Sequence, residues 1–144
     1  VDVVAAYEPM RTEPGSLELL AALRDAGATV LVPVVLPDRD LDWAPWSPDA
    51  LGAPLGVDAI GRAALVLVPA LAVAADGARL GRGGGSYDRA LARCAGETLT
   101  AALLFDGELV DELPRDEWDV PVAAAVTPRG WFPVGRNTDP RLPR

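Results

Sequence analysis

Five short stretches of this chain, residues 3–7, 29–36, 65–69, 99–105 and 122–127, are apolar almost throughout. A strand of that kind offers no face to water, so it belongs in a sheet covered on both sides, the usual setting of parallel strands. Helical patterns fall between the strands. Ser16 is placed as an N-cap, Leu19, Leu20, Leu23 and Ala26 line one face, and Gly27 closes the element. A second helix opens at Ser86, carries Tyr87, Ala90, Leu91 and Cys94 at helical spacing, and has Gly96 as its C-cap. The alternation predicts an α/β fold: three layers, with a mostly parallel, Rossmann-like sheet covered by helices on both faces. Residues 1–134 are expected to form one domain, and the polar, proline-containing stretch 135–144 a disordered tail.

Ligands of such sheets bind at the carboxyl ends of the strands. That places the turn 12–16, the Trp- and Pro-rich stretch 37–56 and a glycine-rich segment near one another. The glycine-rich segment, residues 79–89, carries the most chemistry. Gly81, Gly83, Gly84 and Gly85 leave the backbone free to adopt positive φ and to admit a ligand closely. The loop runs into the predicted helix start, where unpaired N–H groups bind anions. Arg79, Arg82 and Arg89 surround it with positive charge, and Asp88 sets a carboxylate beside the cradle, as a metal ion would require. A tight surface loop, with Asp88 serving only the helix dipole, is the alternative. A Walker A loop is excluded because the chain has no lysine; all thirteen of its basic residues are arginine. The dinucleotide fingerprint fails as well, since Ser86 stands where its third glycine belongs and no strand is expected directly before the loop.

The net charge of −8 argues against nucleic acid as a partner, and an anionic ligand must be held by local groups against that field. The single cysteine, Cys94, reads as a small buried hydrophobe. There is no histidine. The longest apolar run, residues 63–75, is too short to span a bilayer and contains Pro69. No signal peptide is expected and no membrane partner; the chain reads as cytoplasmic, a monomer or weak homodimer.

Residues 79–89, Arg-Leu-Gly-Arg-Gly-Gly-Gly-Ser-Tyr-Asp-Arg, resemble the signature of the 5-formyltetrahydrofolate cyclo-ligases. Residues 7–16, 66–73, 109–114, 119–122 and 125–127 resemble other parts of that family in the same order, so the likeness runs over about residues 3–128. The resemblance implies ATP- and Mg²⁺-dependent conversion of 5-formyltetrahydrofolate to 5,10-methenyltetrahydrofolate, with ADP and phosphate released. It implies ATP-phosphate contacts from Arg79, Gly81, Arg82, Gly83, Gly84, Gly85, Ser86 and Tyr87, with Arg82 the catalytic cation at the transferring phosphoryl group. Asp88 and Asp119 would hold Mg²⁺ and Glu13 the folate. Trp43 and Trp46 would cover the pterin or merely anchor their loop; the family's usual stacking position falls near Leu51.

The chain departs from the family in two ways. The family carries a helical segment, with a lysine and an arginine, before its first strand, whereas this sequence starts almost on that strand. Trp118 precedes Asp119 where the family usually has His, and Ala123 stands where it has Asp. The alternative reading is therefore a non-catalytic nucleotide- or folate-binding homologue that has lost the N-terminal helix and its lysine.

Overall fold

A computed structural model describes residues 2–135. Five parallel strands form its centre: β1 (Val3–Ala5), β2 (Thr29–Val35), β4 (Leu65–Pro69), β7 (Leu99–Leu103) and β9 (Ala124–Thr127). Two antiparallel strands, β3 (Leu41–Pro45) and β10 (Gly130–Pro133), flank them, giving the order β10-β9-β7-β4-β1-β2-β3. The small residues at the centre let the covering layers approach: Ala5, Ala101, Ala102, Ala124 and Ala125 are all fully buried. Helix α1 (Leu17–Asp25) covers one face with Leu20 against Val30, Val32 and Leu67. Helix α2 (Ser86–Ala92) and a 3₁₀ turn (Val57–Arg62) cover the other, where Ile60, Ala90 and Leu91 meet Leu31, Val66 and Trp43. The three-layer α/β architecture is thus the one expected.

Three short strands, β5 (Ala72–Ala74), β6 (Arg79–Leu80) and β8 (Leu109–Val110), form a second sheet in the order β6-β5-β8. The sequence reading missed them, because two or three residues are too few to show a period; it also missed β3, five residues inside a Trp- and Pro-rich stretch. Pro33 does not interrupt β2. Beyond Leu31, β2 has left β1 and pairs with β3 alone, so the missing proline N–H breaks no ladder between parallel strands. The first, fourth and fifth strands are shorter than expected, ending or beginning within one to two residues of the apolar runs. Of the expected tail, only Gly135 lies within the described residues; its N–H bonds Ala75 O at 2.7 Å. No helix among the described residues is long and apolar enough to cross a membrane.

The strand order reverses at β1. The chain leaves β1 through α1 on one face to reach β2, whereas β4, entered through the 3₁₀ turn on the other face, pairs on the opposite side of β1. At such a switch point the connections diverge and open a crevice at the carboxyl edge of the sheet.

Helix α1 is capped as its sequence demands: Ser16 Oγ accepts from Leu19 N at 3.1 Å, and Gly27, at φ +102°, ends it. Its anchor is Leu20, its one fully buried residue. Replacing Leu20 by Ala is expected to cost about 2–5 kcal/mol, while Leu17→Ala, at a half-exposed position of the same turn, costs less than about 0.5 kcal/mol. Urea unfolding of the two variants measures the contrast.

Candidate functional site

The crevice is a cleft of about 930 Å³, and its walls include every residue that the sequence singled out for the site: Glu13, Arg79, Gly81, Arg82, Gly83, Gly84, Gly85, Ser86, Tyr87, Asp88 and Asp119. The turn after β1 brings Glu13, the loop before α2 brings residues 81–88, and the segment between β8 and β9 brings Asp119. Residues 69–71, at the end of β4, form the floor.

The glycines serve two different needs. Gly83, Gly84 and Gly85 take φ of +95°, +86° and +69°, a run that other residues adopt only under strain. Their N–H groups have no partner among the described residues. Gly81 instead provides space, because a Cβ there would lie 2.8 Å from Arg79 Nη1. A strand does end directly before the loop, contrary to expectation. It is β6, paired antiparallel with β5 in the small second sheet, so the βαβ unit of dinucleotide binding is still absent. The N-cap of α2 is Gly85 and not Ser86, and its C-cap is Arg93 and not Gly96. Ser86 Oγ is drawn away from the helix to donate to Arg39 O, 47 residues distant in sequence. Cys94 lies beyond the helix, half-buried against the core, and burial pushes its thiol up to about 11. Burial thus disfavours the thiolate that a nucleophile needs.

Arg79 is the centre of the site. Its guanidinium donates to Pro69 O at 3.2 Å, lies 3.6 Å from Asp88 Oδ1 and sits 5.6 Å from the centre of the Tyr87 ring. Burial lowers its pKa, opposed by the charges of Asp88 and Asp119. Its Nε and the Tyr87 hydroxyl are both buried and lack hydrogen-bond partners among the described residues. Burial raises the pKa of Tyr87, so the phenol stays neutral, and Tyr7 and Glu13 add to that rise. Tyr7 donates to Pro14 O at 2.8 Å and thereby holds the Glu13 turn. Exposed Arg82 reaches across the cleft to Thr12 Oγ1 at 3.5 Å, joining the glycine loop to that turn.

Asp88 Oδ1 accepts from Val120 N at 3.1 Å, and Asp119 Oδ2 from Asp116 N at 2.8 Å. The other oxygen of each accepts no hydrogen bond among the described residues. No group of three metal-ligating side chains occurs among them either, so the protein alone makes no metal cage. Two carboxylates at the rim of the glycine loop are of a kind that fits Mg²⁺, which keeps waters and takes further oxygens. The rest of the acidic segment, Asp111, Glu112, Asp116 and Glu117, is exposed.

The tryptophans of the stretch 37–56 are anchors. Trp43 is fully buried on the α2 face and Trp46 is buried on the α1 face. Strand β3 runs antiparallel to β2 and carries residues 45–56 away from the carboxyl edge, so Leu51 does not line the cleft. The sequence reading missed the hairpin tip instead. Arg89 donates to Asp38 O at 3.3 Å, and Arg93 forms a double hydrogen bond with Asp40 at 2.6 and 2.7 Å. Arg39, at φ +68°, places its guanidinium where a Cβ on Gly84 would lie 3.1 Å from it. Trp118, Met10 and Leu80, all exposed, also line the cleft.

Sheet, switch point and cleft define an α/β enzyme domain whose site lies at the carboxyl edge of parallel strands. Within that class the chain belongs to the 5-formyltetrahydrofolate cyclo-ligase family, whose sequence model matches residues 1–128. The chain is 41% identical over 142 residues to the 5-formyltetrahydrofolate cyclo-ligase of Mycolicibacterium smegmatis, covering 88% of this chain and 73% of that protein. It is 40% identical over 70 residues to the Escherichia coli protein of the same name, covering 48% of this chain and 38% of that one. Among solved structures it resembles the 5,10-methenyltetrahydrofolate synthetase of Aquifex aeolicus, at TM-score 0.75 and 26% identity, over 94% of this chain and 73% of that one. The synthetase from Mycoplasma pneumoniae, at TM-score 0.72 and 20% identity over 87% of this chain and 72% of that one, shares the fold.

The Asp40–Arg93 pair carries a pH prediction. The hydrogen bond from Arg93 and that from Leu41 N hold the Asp40 carboxyl down to about 2. The folded value lies below the unfolded value of about 3.9, so the stabilisation is present above that pH and is lost as pH falls through about 2. The gap in melting temperature between the wild type and Asp40→Asn is expected to be constant from pH 7 to 5 and to close towards pH 2.

Proposed function

We propose that this protein converts 5-formyltetrahydrofolate and ATP to 5,10-methenyltetrahydrofolate, ADP and phosphate. The observation that carries the reading is the junction of Arg82 with Thr12: it sets the glycine loop beside the Glu13 turn, so a phosphoryl donor on the one and an acceptor on the other would meet in one cleft.

An amide-like oxygen is a poor leaving group. Attack of the formyl oxygen on the γ-phosphorus breaks the bond to the ADP oxygen and turns that oxygen into a phosphate ester. N10 then closes on the activated carbon and loses its proton, and phosphate departs with the former formyl oxygen. Such transfer needs positioning and charge neutralisation more than covalent chemistry from the protein. The free N–H groups of Gly83, Gly84 and Gly85 would bind phosphate oxygens, with Gly81 and Ser86 completing the cradle. Helix α2 has only seven residues, so loop amides and arginines would do more here than a helix dipole. Buried Arg79, short of a partner at Nε, and the unpaired Tyr87 hydroxyl offer further donors to the same phosphates. Arg82, exposed on the cleft wall, would be the cation for the transferring phosphoryl group. Glu13 would hold the folate. Asp88 and Asp119 would hold Mg²⁺, which supplies charge neutralisation at the phosphates.

The net charge of −8 and the small cleft suit small-molecule substrates and no nucleic-acid or membrane partner, in a cytoplasmic monomer or weak homodimer. The test is methenyltetrahydrofolate formation, followed by its near-ultraviolet absorbance. Product is expected only with ATP and Mg²⁺, and none from Asp88→Ala. Arg82→Ala is expected to lower kcat on the order of 100-fold. ATP binding without any product from the wild type would support the non-catalytic homologue instead.

A further inference from the structure

Trp118 is the most exposed large apolar side chain of the described residues, at 77%, yet it stands on the wall of the cleft. Its backbone is firmly held. Trp118 N donates to Asp116 Oδ1 at 3.1 Å, Asp119 N to Asp116 O at 3.1 Å, and Asp116 N to Asp119 Oδ2 at 2.8 Å. Two residues on, Val120 N bonds Asp88 at 3.1 Å and ties this turn to the start of α2. The loop is thus fixed at the glycine cradle while the indole itself is left in solvent. An aromatic face kept exposed on a fixed turn beside a phosphate site is suited to a flat heterocycle.

Position selects which heterocycle. Val120 N ties the Trp118 turn to Asp88, at the start of the helix that follows the glycine loop, whereas Glu13 lies on the turn after β1, which Arg82 meets at Thr12. Trp118 thus stands on the cleft wall beside the end of the glycine loop, where the base of a nucleotide held by that loop would lie.

We infer that Trp118 stacks on the adenine base of ATP and sets the affinity for the nucleotide. The inference rests on the ATP-dependent reading of the cleft. Among the four tryptophans, Trp43 and Trp46 are buried in the core and Trp131 is half-buried in β10 on the α1 side of the sheet, so ligand-induced change in emission reports on Trp118. The experiment titrates the wild type and Trp118→Phe with ATP, with inorganic tripolyphosphate and with 5-formyltetrahydrofolate, and measures kinetics for Trp118→Ala and Trp118→Phe. ATP is expected to quench the wild type, tripolyphosphate and the folate to leave it unchanged, and Trp118→Phe to show no response. Trp118→Ala is expected to raise KM for ATP about tenfold, with KM for the folate unchanged and Trp118→Phe within about threefold of the wild type. Equal quenching by tripolyphosphate, quenching by the folate alone, or a rise in the folate KM would overturn the assignment. Quenching by ATP without product would leave the inference standing and remove the ligase reading; product without quenching would do the reverse.

Discussion

The site depends on one desolvated cation. Arg79 leaves water to donate to the carbonyl that ends β4, to face Asp88 and to lie over the Tyr87 ring, and each contact ties a different segment to the sheet. Burying a guanidinium is costly unless its charge is met, and the Asp88 carboxylate meets it. Gly81 is part of the same arrangement, since any side chain there would displace the guanidinium. One buried charge thus fixes the glycine loop, the start of α2 and, through Val120, the Trp118 turn relative to the end of β4. It leaves the loop N–H groups and Arg82 facing the cleft without tertiary partners of their own, Thr12 aside.

The sheet explains why that anchoring falls where it does. The order reverses between β1 and β4, so the Glu13 turn and the end of β4 are neighbours on the carboxyl edge, with no strand between them. The chain after β4 cannot return directly along the sheet. It first forms the small sheet of β5, β6 and β8, and β6 delivers Arg79 to the crevice and ends at Leu80, just before Gly81. From the other side, the β2–β3 hairpin supports α2 through Asp38, Arg39 and Asp40. The loop is therefore held at both ends while its middle stays open.

Much of this was legible in the sequence, and the residues show why. The five apolar runs could be buried only as inner strands, and Ser16 and Gly27 bracket α1 by local capping chemistry alone. Nine of the eleven residues singled out for the site lie in the one glycine-rich segment 79–88, whereas Glu13 and Asp119 stood out only through the family resemblance. What sequence could not reveal is non-local. Ser86 has the composition of an N-cap, but its hydroxyl goes to a carbonyl 47 residues away, and Gly85 takes the position through an αL conformation open to it. Arg39 and Asp40 lie in an unremarkable turn, and nothing nearby in the chain indicates that they support α2. Trp43 and Trp46 have the composition of a stacking pair, yet Trp43, within β3, is buried on the α2 side and Trp46, just past the strand's end, on the α1 side.

The lysine-free composition has a structural consequence at the cleft. An ammonium is a strongly hydrated point charge on a flexible stem, whereas a guanidinium is planar, more weakly hydrated and able to bond in several directions at once. Arg79 uses that geometry: one nitrogen serves Pro69, another faces Asp88, and the flat face lies against Tyr87. A lysine at the same place could not join three segments and still leave a buried N–H unpaired. Arg93, with its paired bonds to Asp40, uses the same fork to hold the hairpin. In a chain of net charge −8, an anionic ligand gains nothing from the long-range field, so its hold must come from charges fixed in place at short range. The two forked arginines supply that fixity, one inside the cleft and one behind it, and exposed Arg82 faces the cleft with Thr12 as its partner.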